Sequence, residues 1–146
     1  MALHGTYDAD NIFAKILRGE MPALKVFEDE VALAFMDIFP QAVGHTLVIP
    51  KDVTARNLLD LPTAALGPYM ERVQTVARAV EAGLKPEGII VTQFNGAPAG
   101  QTVFHLHVHI IPRGEGTVLG PHASGGPRPA EELEPVAAKI RAALAG

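Results

Sequence analysis

Read as apolar against polar positions, the chain changes period several times, and each change marks an element. Ile12, Phe13, Ile16 and Leu17 form one stripe, which predicts a short helix over 12–18, capped by Asp10 or Asn11 and ended by Gly19. Met21-Pro22 breaks that pattern, and residues 24–28 and 31–37 then read as two strands joined by Asp29-Glu30, a hairpin. Residues 40–44 form a loop, and 45–50 a third strand stopped by Pro50, because proline cannot donate to a ladder. From 63 to 84, Leu66, Tyr69, Met70, Val73, Val76, Ala77 and Val80 keep the spacing of an amphipathic helix, with Arg72, Arg78 and Glu81 outside. Pro68 is expected to kink its first turns or delay its start.

Residues 88–94 read as a fourth strand, 95–100 as a loop, and 100–113 as a fifth strand antiparallel to the fourth. Glycine and proline crowd 114–129, a loop or flap, before a last helix over 131–144 that buries Leu133, Val136, Ala137, Ile140 and Leu144. This order predicts an α+β fold with an antiparallel sheet of about five strands, two main helices and a C-terminal helix. With no repeat and no boundary, 1–146 reads as a single domain, its core at 10–113 and a loop plus helix at 114–146. Small antiparallel sheets leave edges that self-association can cover.

The stretch over 100–113 carries the chemistry. His105, His107 and His109 alternate with Phe104, Leu106, Val108 and Ile110, so the imidazoles share one face of a half-buried strand and the other face is core. Neighbouring histidines are then about 6.6 Å apart and the outer two about 13 Å. Three imidazoles side by side each need hydrogen-bond partners, or repel one another when protonated, so the pattern points to a ligand.

Composition narrows the ligand. The apolar content of 48% suits one domain with a core, and the net charge of −4 gives no general basic field of the kind a nucleic-acid partner demands. Phosphate must therefore be met locally. The absence of cysteine excludes a disulfide framework and a thiolate zinc site. Residues 1–10 lack the basic start and apolar run of a leader, and no stretch approaches the roughly 18 apolar residues that cross a bilayer, so a cytoplasmic protein with no membrane partner is expected.

Neutral imidazole is a competent nucleophile toward phosphorus at neutral pH, and the bond it forms is labile enough for water to release in a second step. Charge spread over the transferred group needs donors on several sides, and the histidines, the glycine-containing loop, Gln101 and Thr102 stand together to supply them. His107, flanked by potential donors on both sides, is the candidate nucleophile. A carbonyl must hold the proton of its other nitrogen. The competing reading is zinc held by His-x-His with His45. Outer residues about 13 Å apart cannot easily converge on one ion with bonds of about 2.1 Å, so the site residues are read as holding no metal and requiring no cofactor, adventitious zinc aside.

These residues also resemble a known family. The run 105–111 has the His-φ-His-φ-His-φ-φ form of the histidine triad (HIT) superfamily of nucleotide hydrolases and transferases. Residues 11–16, 19–23, 37–42, 44–51, 95–96 and 100–103 are similar to its Hint branch, and the Gln-Thr-Val opening and Pro-Arg close occur in the Fhit branch too. The resemblance implies that His107 becomes nucleotidylated, that His105 and His109 complete the phosphate and imidazole network, and that His45 supports them. It further implies that Asn95, Gly100, Gln101 and Thr102 meet the phosphate and leaving group. Asp37 would bind the ribose hydroxyls, and Ile12, Phe13, Phe35, Ile38 and Leu47 would form the base pocket. Such proteins are typically homodimers whose two sheets join.

Many bacterial relatives carry Cys-x-x-Cys where this chain has Asn11 and Ala14. The implied partner is a small molecule containing a purine mononucleotide, cleaved at its α-phosphate as in a nucleoside phosphoramidate. The alternatives are a diadenosine polyphosphate hydrolase, or a nucleotide-binding interaction protein with incidental turnover. His4 and His122, each alone among small residues, read as solvated.

Overall fold

The computed structural model describes residues 3–115 and 127–146. Its elements are α1 (Ile12–Leu17), β1 (Lys25–Glu28), β2 (Ala32–Met36), β3 (Thr46–Pro50), α2 (Thr63–Leu84), β4 (Gly88–Thr92), β5 (Val108–Arg113) and α3 (Ala130–Ala145), with short 3-10 turns at Leu58–Asp60 and Ala97–Ala99. The strands form one antiparallel sheet in the order β1-β2-β3-β5-β4, so the α+β architecture is the one the pattern predicts.

Local chemistry explains the elements. Asn11 caps α1 by accepting the Ala14 amide at 2.9 Å, which leaves Asp10 outside. The β1–β2 turn is closed by Asp29, whose carboxylate accepts the amides of Val31 and Ala32 and is clamped from α2 by Arg72 at 2.9 Å. That clamp and the two amides outweigh burial and hold the Asp29 carboxyl below its ordinary value. At Gly83 the α2 backbone crosses α3 so closely that an added Cβ would lie 2.7 Å from the Lys139 carbonyl oxygen, which requires glycine.

The sheet separates two apolar layers. On one face Ala34, Val48, Val108 and Ile110 meet Tyr69, Val73, Val76 and Val80 of α2 and Leu133, Ala137 and Ile140 of α3. On the other, Leu33, Phe35, Leu47 and Ile49 meet Phe13 and Ile16 of α1. The β3–β5 register sets His109 opposite Leu47, so the histidine face is the one α1 covers.

Four expectations are corrected. The ladder begins only at Val108, because Leu106 gives its amide to the Ala55 carbonyl rather than to a neighbouring strand; residues 100–107 are irregular chain. The histidine face is buried rather than half-buried, with His105, His107 and His109 at 1%, 5% and 5% exposure. Pro68 does not delay α2, which starts at Thr63. Met70 is exposed, and Val136 and Leu144 of α3 are only partly buried against the core, since the contacts are made by Tyr69, Val73, Val76 and Val80 of α2 and by Leu133, Ala137 and Ile140 of α3. Of the segment 114–129, residues 116–126 with His122 lie outside the described residues; His4 is exposed.

Candidate active site

Gly44 sets the first histidine. It adopts φ +93°, a left-handed conformation that favours glycine, and a Cβ there would collide with Leu84 and Pro112. The following His45 is fully buried, and its Nδ1 accepts the Gln41 amide at 3.0 Å. The proton of neutral His45 must therefore sit on Nε2, which lies 2.9 Å from His109 Nδ1 and 3.4 Å from Asp37 Oδ2. Asp37 is held in turn by the Phe39 amide at 2.8 Å. With Nδ1 accepting, neutral His109 carries its proton on Nε2.

The same reasoning fixes the other two. His107 Nδ1 lies 2.7 Å from the His105 carbonyl, a group that only accepts, so Nδ1 is protonated and Nε2 bears the lone pair. His105 Nε2 donates to the Pro50 carbonyl at 3.1 Å, and its Nδ1 meets the Tyr7 hydroxyl at 2.6 Å. Burial pushes the His105 imidazole down to about 4, against a partial rise from the Pro50 carbonyl. His105 is thus neutral, and both its nitrogens are turned to the protein. Its carbonyl, not its ring, serves His107.

Asp37, His45 and His109 bring ligand-type atoms within 4.8 Å of one another. Tetrahedral zinc with bonds of about 2.1 Å separates its ligand atoms by about 3.4 Å. The 2.9 Å between the His45 and His109 nitrogens is a hydrogen bond, so the trio fits a proton network better than an ion.

Beside the row lies a cleft of about 210 Å³ lined by Ile12, Phe13, Phe35, Asp37, Ile38, Leu47, Thr102 and His107. Ile16, Met21, Pro22, Ala23, Met36, Phe39 and Val103 complete it. Phe13 stands edge-on to His107, ring centroids 4.9 Å apart, and to Phe35 at 5.4 Å. All five residues expected at a base pocket line this one cleft. Met21-Pro22-Ala23 belong to a segment whose motif was legible but whose place at the cleft was not.

The loop before the histidines is braced through Gln101, whose carbonyl accepts the Gly96 amide at 2.8 Å and whose amide donates to Arg56 O at 2.6 Å and Val103 O at 3.0 Å. Gln101 is buried, and these three bonds engage its carbonyl and its amide group within the loop. Asn95 accepts Leu58 N and Gln93 Nε2 at its carbonyl, and its Nδ2 protons are the donors it can offer. Gly100 turns the loop at φ +111° against the Phe94 ring.

A buried row of imidazoles, held in fixed tautomers by its neighbours, thus lies on an antiparallel α+β sheet, and His107 of that row borders an apolar cleft. The HIT domain family model matches residues 18–116, and the chain belongs to that family. A HIT-like protein from Bartonella henselae, described as involved in cell-cycle regulation, superposes with a TM-score of 0.87 at 53% identity, covering 94% of this chain and 99% of that one. Protein hit of Bacillus subtilis is 40% identical over 92% of this chain and 94% of its own length. Adenylylsulfatase HINT3 of Arabidopsis thaliana is 37% identical over 75% of this chain and 55% of its own length. Among the described residues no helix is long and apolar enough to cross a membrane.

Proposed function

We propose that the protein hydrolyses a purine nucleotide at its α-phosphate, with a nucleoside phosphoramidate or a similar mixed phosphate as substrate. The observation that carries this is the His107 tautomer: with Nδ1 protonated onto the His105 carbonyl, Nε2 is the nitrogen of the neutral ring that holds the lone pair, in a side chain that lines the cleft. The base enters between Ile12, Phe13 and Ile38, and the ribose reaches Asp37. His107 Nε2 bonds to phosphorus as the bond to the leaving group breaks. The leaving group departs with that electron pair and takes the proton of His109 Nε2. Water then displaces His107 and restores the proton to His109, releasing the mononucleotide. No metal or cofactor enters these steps. The adenylylsulfatase relative, whose name implies cleavage beside an adenylyl phosphate, supports this reaction class.

Incubation with adenosine phosphoramidate and with diadenosine tetraphosphate, each with and without chelator, tests the reading. Chelator-insensitive release of AMP from the phosphoramidate is expected, and a preference for the dinucleotide would move the assignment to polyphosphate hydrolysis. Thermal stabilisation by AMP without turnover of either would leave a binding protein.

The acting unit in this proposal is a homodimer joined across β4, an edge strand whose Val91 is 49% exposed beside Met70 of α2, itself 43% exposed. Val91→Arg sets a charge on that patch and is expected to halve the mass measured by light scattering. An unchanged mass would place the interface elsewhere.

A further inference from the structure

Tyr7 stands in no motif, lies before the matched family region and is one of only two tyrosines in the chain. Its hydroxyl is nonetheless 2.6 Å from His105 Nδ1, and its ring stands edge-on to that imidazole with centroids 5.7 Å apart. Since His105 Nε2 already donates to a carbonyl, Nδ1 of the neutral ring is an acceptor and the tyrosine hydroxyl is the donor. The ring is therefore gripped at both nitrogens.

The segment bearing Tyr7 is tied down by the same short stretch that holds the loops beside the histidines. Asn57 Nδ2 donates to Leu3 O at 2.9 Å and Arg56 NH1 to Thr6 O at 3.2 Å. From this stretch, Ala55 O accepts the Leu106 amide at 2.9 Å and Arg56 O accepts Gln101 at 2.6 Å. The N-terminal segment, the phosphate-side loop and the main chain around His105 thus share one anchor. What depends on it is the His105 carbonyl, the acceptor that keeps His107 in its nucleophilic tautomer.

We infer that Tyr7 is a positioning residue for the reaction: it locks His105 from the N-terminal segment and, through the His105 carbonyl, aims His107. It touches neither substrate nor the reacting atoms. This rests on the activity proposed above for its kinetic consequence, but its structural part does not need turnover.

Tyr7→Phe keeps the ring and its edge contact and removes only the hydroxyl. With adenosine phosphoramidate, kcat is expected to fall roughly tenfold while KM and AMP affinity stay within about twofold, because a small misalignment of a nucleophile is costly in the transition state and not in ground-state binding. In ¹⁵N spectra of the histidine rings, the bare Nδ1 of His105 should shift as it loses its donor, and the Nδ1 proton of His107 should shift with it. A wild-type kcat, a change confined to KM, or unchanged ring resonances would each overturn the inference. Should the wild-type chain turn over neither substrate, the activity falls and the spectra decide alone. A coupled shift at His107 upholds the positioning role, and a still spectrum ends it.

Discussion

His107→Ala should abolish turnover of a nucleoside phosphoramidate, with a fall of roughly a thousandfold or more, while AMP still binds within a few-fold of the wild-type affinity. The two halves of this expectation come from different parts of the site. His107 Nε2 is the lone pair that would attack, whereas the cleft is walled mainly by Phe13, Phe35, Ile38 and Leu47, which the substitution leaves in place. Stopped-flow release of AMP and calorimetry of AMP binding measure the two halves separately. Intact-protein mass spectrometry after rapid acid-free quenching should show a nucleotidyl adduct on the wild type and none on the variant. A variant as fast as the wild type would remove histidine nucleophilicity from the proposal.

The second large effect is on stability in acid. His105 titrates at about 4 in the folded chain against an ordinary 6.5, since burial disfavours its charged form. Between those values the unfolded chain binds a proton that the folded chain refuses. Stability is therefore full above about pH 6.5 and falls as the pH drops toward 4, by about 3 kcal/mol, or roughly 10 °C in melting temperature. Carboxylates such as Glu28, lowered mainly by Lys51 and Lys25, also lose stabilising charge in acid, so the wild-type slope alone does not isolate the histidine. His105→Gln does. Glutamine can donate to Pro50 and accept from Tyr7, yet does not titrate, so its melting temperature should change less between pH 6.5 and 4.5. Parallel slopes for the two proteins would assign the acid sensitivity to other groups.

Periodicity made most of the framework legible. The stripe at Ile12, Phe13 and Ile16, the alternating strands and the spacing at Tyr69, Val73, Val76 and Val80 all report burial, which is what makes these elements form. The same rule overextended the fifth strand. Alternation persists from Phe104 to Ile110 because alternate side chains face opposite layers, but a ladder also needs a partner, and Leu106 finds its partner in a loop.

Within the site, the row of histidines and the apolar cleft residues were legible as types at a spacing. Their protonation was not, because a tautomer is decided by which atom faces each nitrogen. Gln41 N facing His45 and Pro50 O facing His105 are products of the folded chain. Gln101 shows the converse: its amide protons go to the Arg56 and Val103 carbonyls, and its own carbonyl takes the Gly96 amide, once the loop closes. Tyr7 was silent for the simplest reason, since 98 residues separate it from the imidazole it holds.

Phe13 packs at once against Phe35, against His107 and, at 6.5 Å between centroids, against His105. One ring is therefore both a wall of the cleft and a backstop for the His107 imidazole. In the proposed reaction, substrate preference at that wall is tied to reactivity. A smaller residue that admitted a bulkier base would also give the imidazole room to tilt, so new specificity is expected to arise first at Ile12, Met21 or Ile38, at the open side of the cleft, where a change of shape leaves the attacking nitrogen undisturbed.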